Sequence, residues 1–202
     1  MAKLYFTYSA MNAGKSAILL QAAHNYRERG MEVSLWTSAH HAGSAQAETG
    51  VIESRIGLTA PARIFRSQTD LLAAVAEQID AAPLGAVFID EAQFLTATQV
   101  DQIARVCDDL NVPALCYGLR TDFQGRMFEG AATLLAIADD LREVRTICHC
   151  GRKATMNLRT DATGAPVREG DQVRVDKTGY IALCRKHFRE AMEGEGDRPR
   201  LV

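Results

Sequence analysis

Ser9-Ala10-Met11-Asn12-Ala13-Gly14-Lys15-Ser16 is the stretch on which the reading of this chain turns. It matches the phosphate-loop pattern, except that Ser9 stands where the first glycine is usual. On its N-terminal side, Leu4 to Tyr8 is a short apolar and aromatic run that predicts a buried strand. On its C-terminal side, Lys15 to about Arg29 carries Ile18, Leu19, Ala22, Ala23 and Tyr26 at helical spacing, with Gly30 where a C-terminal cap belongs. A strand, a tight loop and a helix start, in that order, give the motif its physical meaning. Backbone N–H groups and the helix dipole both favour an anion held there. Lys15 would bridge the β- and γ-phosphates of ATP, and the Ser16 hydroxyl would join a Mg²⁺ shell. A chance Gly-Lys-Ser at a helix start is the plain alternative, and both flanks count against it. Ser9 is a mild departure, since only glycine takes positive φ without cost.

Working outward, Val33 to Trp36, Arg63-Ile64-Phe65, Ala86 to Ile89 and Pro113 to Tyr117 read as further strands. Thr69 to Ala81 and Thr96 to Leu110 read as helices, the second opened by a capping box of Thr96 and Gln99. Ser38 to Thr59 is small, polar and Gly-containing, the composition of a long mobile loop. Alternating strands and helices through about residue 145 predict an α/β fold, a mostly parallel recombinase-like P-loop sheet with helices on both faces. From about Thr146, cysteines, glycines and short β-like runs replace the long helices. The expected organisation is a nucleotide-binding domain over 1–145, a small C-terminal module over 146–192 and a disordered tail over 193–202.

Asp90-Glu91 follows the apolar run Ala86 to Ile89, at the strand end where doubly wound sheets bind ligands. An Asp that organises Mg²⁺ is wanted there beside a phosphate loop. Glu91, one residue on, could accept a proton from an attacking nucleophile, which is water in a hydrolase and a substrate hydroxyl in a kinase. Standing alone, the pair would read as solvated loop carboxylates. The two motifs together specify nucleotide chemistry without choosing the acceptor.

Cys148-x-Cys150 and Cys184-x-x-His187 form two pairs whose ligand types suit a closed tetrahedral zinc site. Four protein ligands leave no open position, so zinc here would be structural, stabilising a module with little apolar sequence. The Cys-x-Cys spacing is tighter than a usual knuckle, and reduced buried cysteines with a surface His remain the other reading. Cys107, on a helix, and Cys116, in a strand, read as core residues, and His149 as exposed. His24, His40 and His41 have no matching partners.

The chain has 202 residues, enough for one full α/β domain and a small appendage. Its formal net charge of −2 offers no broad basic surface, which makes nucleic acid a poor default partner. The N-terminus lacks a signal-peptide core and no later run could span a bilayer. A cytoplasmic protein is the simplest expectation, its five cysteines being thiols or metal ligands rather than disulfides.

Tyr8 to Ser16, Asp90-Glu91-Ala92-Gln93-Phe94, Cys116-Tyr117-Gly118-Leu119-Arg120-Thr121-Asp122-Phe123, Thr146 to Lys153 and Cys184 to His187 together resemble the zinc-containing (type II) thymidine kinase family in its bacterial form. The resemblance runs from Leu4 to about residue 192. It implies ATP-dependent phosphorylation of the 5′-hydroxyl of thymidine or deoxyuridine with Mg²⁺, Glu91 being the proton acceptor. Ser9 to Ser16 and Asp90, Glu91, Ala92 and Gln93 carry over as the nucleotide site, and Cys148, Cys150, Cys184 and His187 as structural Zn²⁺ ligands. Met11, Phe94, Leu119, Phe123 and Phe128 match positions lining the thymidine pocket. A lasso-like loop over about Leu158 to Tyr180 would close on the base through backbone hydrogen bonds, with Val173, Val175 and Tyr180 among its substrate contacts. A homotetramer and feedback inhibition by thymidine triphosphate are further implications of the resemblance.

Two departures stand out. Many relatives carry Asp-x-Arg after the second strand, where this chain reads His40-His41-Ala42-Gly43-Ser44, with no arginine until Arg55. Many have Gly-Gly in the lasso where this chain reads Asp176-Lys177-Thr178-Gly179. The main rival is a P-loop ATPase using Glu91 to activate water and the zinc module to grip nucleic acid; a non-catalytic nucleotide-binding regulator is another. The near-neutral charge counts against the first, and intact Lys15, Asp90 and Glu91 against the second.

Overall fold

The structure, a computed structural model, describes residues 1–41, 48–172 and 179–194. From the N-terminus run β1 (Leu4–Ser9), α1 (Lys15–Glu28), β2 (Glu32–Ser38), β3 (Thr49–Glu53), β4 (Thr59–Phe65), α2 (Leu71–Ala81), β5 (Leu84–Ile89), α3 (Ala97–Asp108), β6 (Ala114–Leu119), α4 (Glu129–Ile137) and β7 (Asp140–Glu143). Their strands form one seven-stranded sheet in the order β3-β4-β2-β5-β6-β1-β7. All pairs are parallel except β3 with β4 at one edge.

Both faces are covered, which is why the central strands read as unbroken apolar runs. In β5, Ala86 and Phe88 pack with Leu19, Leu20 and Ala23 of α1. Val87 and Ile89 face the other way, into a cluster with Val75 of α2, Val100 and Ile103 of α3 and Leu134 of α4. Helix starts follow their caps. The Asp70 side chain accepts from Ala73 N–H and starts α2 two residues later than the Thr69 expectation, while Thr96 and Gln99 form the reciprocal capping box of α3.

The expected loop from Ser38 to Thr59 is corrected by the structure. A short 3-10 turn covers Ala39–His41, and β3 runs antiparallel to β4 as an edge hairpin whose tip is Ser54 to Leu58. The hairpin escaped notice because the inward positions of β4 include Ala60 and Ala62, too small to give a strong period-2 signal. Pro61 is tolerated because β4 joins β2 only from Arg63 onward. Residues 42–47 lie outside the described residues.

Past β7, β8 (Thr146–Ile147) pairs with β9 (Lys153–Ala154), and β10 (Met156–Thr160) with β11 (Gly179–Leu183), followed by α5 (Arg185–Glu193). The expected lasso from Leu158 to Tyr180 starts and ends inside the β10–β11 ladder, where Leu158 faces Ile181 and Arg159 faces Tyr180. Val173 and Val175 lie outside the described residues, as does the tail from 195 onward. Among the described residues no helix is long and apolar enough to cross a membrane.

Candidate active site

The carboxyl end of β1 delivers the chain into the phosphate loop, and the left-handed conformations fall at Asn12 (φ 63°) and Gly14 (φ 84°). Ser9 is not among them, so replacing the usual glycine there carries no backbone cost. The Ser9 hydroxyl is put to use instead: its oxygen accepts from Lys15 Nζ at 2.9 Å, and the ammonium also reaches Ala10 O at 3.3 Å. Ser16 Oγ donates to Asp90 Oδ2 at 2.8 Å, joining the loop to the end of β5. A hydroxyl and a carboxylate placed together are the oxygen donors a hard divalent cation takes, so the pair fits Mg²⁺.

Burial governs the charges. It pulls the Lys15 ammonium below its usual pKa, against the opposing pull of Glu91 and Asp90. Burial, and then the neighbouring Glu91 charge, push Asp90 up to about 6, while the Ser16 hydrogen bond and Lys15 work the other way. Glu91 itself sits in the left-handed region (φ 55°, ψ 36°) as the N-cap of a short 3-10 turn, Ala92–Phe94. Its carboxylate accepts from Gln93 Nε2 at 2.5 Å, and Gln93 Oε1 accepts from Leu119 N–H at 3.0 Å.

One cleft of about 540 Å³ joins these parts. Met11 to Ala17 line one part of it, Glu91 and Gln93 another, and Phe94, Leu119, Phe123, Phe128 and Tyr180 supply apolar and aromatic walls. Phe94 and Phe128 meet edge to face at 5.6 Å, and the His40 ring lies 4.7 Å from Phe94. Ser9, Ala10, Asp90 and Ala92 are buried just behind the lining rather than on it. Arg55, at the β3–β4 hairpin tip, is exposed and also lines the cleft.

Asn157, on β10, spans the cleft. Its Oδ1 accepts from Met11 N–H at 2.7 Å and its Nδ2 donates to Thr121 O at 2.9 Å. Next to it, buried Arg159 lays its guanidinium over the Phe123 ring, 3.6 Å from the centroid. The same group donates to Asp171 O at 2.9 Å and Glu169 O at 3.3 Å, and Gly170 leaves it room.

Further along, Cys148, Cys150, Cys184 and His187 offer ligand atoms that all lie within 4.8 Å of one another. Cys150 and Cys184 sulfurs are 3.9 Å apart. A tetrahedron with metal–sulfur bonds of about 2.3 Å has edges of about 3.8 Å, so the set fits a closed metal site. Cys148 and Cys150 lie in a turn closed by Cys148 N–H to Arg152 O, while Cys184 caps α5 and His187 sits in its first turn. His187 turns Nδ1 to the cluster and has Nε2 3.9 Å from Glu190, the kind of carboxylate that orients a ligating imidazole. His149 is exposed, as expected, and stacks on His187.

A family model described as Thymidine kinase matches residues 2–188. The chain belongs to the thymidine kinase family. It is 58% identical to a thymidine kinase of Ruegeria pomeroyi over 197 residues, covering 97% of this chain and 98% of the relative. It is 57% identical to one of Novosphingobium aromaticivorans over 194 residues (95% and 99%), and 56% identical to one of Mesorhizobium japonicum over 192 residues (95% and 93%).

Of the expected pocket residues, Met11, Phe94, Leu119, Phe123, Phe128 and Tyr180 all line the cleft. Cys107 and Cys116 are buried core, as expected. The sequence reading gave no role to His40, nor to Asn157 and Arg159, whose parts depend on distant partners. Asn157 lies 146 residues from the amide it holds, and no local pattern could have marked it.

Proposed function

We propose that this protein is an ATP-dependent thymidine kinase, transferring the γ-phosphoryl group of ATP to the 5′-hydroxyl of thymidine or deoxyuridine. One observation carries the reading. A single cleft is lined by the phosphate loop, by Glu91 and by aromatic side chains suited to a flat base. In the reaction the 5′-oxygen forms a bond to the γ-phosphorus, the bridging bond to the β-phosphate breaks, ADP leaves and Glu91 accepts the hydroxyl proton. Lys15 neutralises charge on the transferring group, and the loop amides align it; alignment and electrostatics supply most of the rate gain.

Mg²⁺ held by Ser16 and Asp90 would add positive charge beside the β- and γ-phosphates. Zn²⁺ held by Cys148, Cys150, Cys184 and His187 would be structural, since the four ligands fill its coordination. Residues 1–145 would act as the nucleotide-binding unit and 146–192 as the unit that covers the nucleoside. A homotetramer, feedback inhibition by thymidine triphosphate and a cytoplasmic setting for nucleotide salvage belong to the same proposal. Sizing the protein in solution and titrating thymidine triphosphate into the assay check the first two.

The deciding experiment incubates the protein with Mg-ATP and a nucleoside panel, following nucleoside monophosphate and ADP together. Thymidine monophosphate in step with ADP is the expected result. ADP released equally without any nucleoside would make water the acceptor and overturn the proposal. Glu91→Gln is expected to lower kcat by about 10²–10⁴-fold while ATP still binds, measured by turnover and by calorimetry. Near-normal turnover would remove Glu91 from the role of base.

A further inference from the structure

Gln93 is 2% exposed, and its carboxamide is committed at both ends. A backbone N–H can only donate, so the Leu119 amide fixes which end of the carboxamide is oxygen, and the NH₂ end is thereby aimed at Glu91. The orientation is set by strand β6 and not by a choice between amide flips. Gly118 makes the arrangement possible. A Cβ on Gly118 would lie 2.8 Å from Gln93 Oε1, closer than real Cβ atoms come, and a tight 3.0 Å from its backbone N. Glu91 in turn occupies a left-handed conformation that a non-glycine residue takes only when its surroundings hold it.

We infer that Gln93 is a positioning residue for the base: it ties the Glu91 carboxylate to the end of β6, with Gly118 as the gap that admits it. The inference rests on Glu91 acting as the proton acceptor, and it separates Gln93 from the residues that hold the nucleotide. Both ends of the carboxamide already hold protein partners, Glu91 at the nitrogen and the Leu119 amide at the oxygen. Glu91 held this way keeps its carboxylate in a fixed orientation, which is the preorganisation that proton transfer needs.

The test compares Gln93→Met, Gln93→Glu and Gly118→Ala with the parent protein, alone and in a Glu91→Gln background. Gln93→Met removes both hydrogen bonds at similar volume. Gln93→Glu keeps the acceptor for Leu119 N–H and loses the donor to Glu91, and Gly118→Ala displaces the carboxamide without touching it chemically. All three are expected to lower kcat by about 10–100-fold while the ATP dissociation constant and the nucleoside KM change less than about threefold. With Glu91→Gln already present, each should cost nothing further, because residues acting as one unit are non-additive. Should Gln93→Met fail to fold on a thermal melt, the other two variants carry the same readout. Weaker ATP binding with kcat unchanged would make Gln93 a nucleotide ligand and overturn the inference, and so would additive losses in the Glu91→Gln background. If the parent hydrolyses ATP with water instead of phosphorylating thymidine, the functional proposal fails, yet the same comparison is read on ADP release.

Discussion

β5 buries Ala86, Val87, Phe88 and Ile89 completely, sandwiched between α1 on one face and α2, α3 and α4 on the other. Among the described residues, the segment from Thr146 to Gly194 has nothing comparable. Its buried apolar cluster is Cys148, Ala154, Leu158, Leu183, Cys184 and Ala191, so two of its members are themselves candidate metal ligands. One region is held by two extended hydrophobic layers and the other by a small cluster that a metal would staple. The difference teaches where each tolerates damage: the sheet loses stability in increments, the C-terminal segment all at once.

The sharpest way to break that contrast is to remove the metal. A strong chelator, or Cys184→Ala, is expected to open residues 146–194 to proteolysis while the sheet keeps its far-UV signal, since structural zinc contributes on the order of 10 kcal/mol to small modules. Unchanged protease resistance would mean the cluster is held by packing alone. Ile103→Ala, in the core of the sheet, should instead cost about 2–5 kcal/mol in denaturant unfolding with the metal still bound. Loss of metal in that variant would show that the two regions unfold as one.

Asn157 is one of the ties between them, and breaking it should cost less. Asn157→Leu strands the Met11 amide and the Thr121 carbonyl, at about 1–3 kcal/mol for an unpaired buried group, and should raise the KM of both substrates. Asn157→Asp keeps the acceptor for Met11 N–H and should fall between, by steady-state kinetics. The smallest effect is expected at the exposed Arg105–Asp109 pair, 2.9 Å apart. Arg105→Ala should move Tm by no more than about 3 °C, and a larger shift would mean α3 contributes through its surface as well as its buried face.

Much of the first region could be read directly. The phosphate loop is contiguous, its flanks are a strand and a helix, and Asp90-Glu91 closes an apolar run long enough to be recognised. The Thr96–Gln99 capping box was visible because both partners lie within one turn. The β3–β4 hairpin was not, because two of the inward residues of β4 are the small Ala60 and Ala62 and its outward face carries Pro61. In the second region the Cys and His types announced a metal site, although the Cys-x-Cys spacing left it open until the structure brought the four ligand atoms together.

By itself the sequence determined the α/β class, the phosphate loop and the identity of the groups able to bind anion and metal, because those depend on residue type and short spacing. Only the tertiary structure decided that the end of β6 holds Gln93 with its amide nitrogen toward Glu91, that Asn157 joins the loop to the C-terminal strands, and that Arg159 backs Phe123. Each of those side chains is set in place by a partner far along the chain. A hydrogen bond closed across a fold leaves no periodicity in the sequence that encodes it.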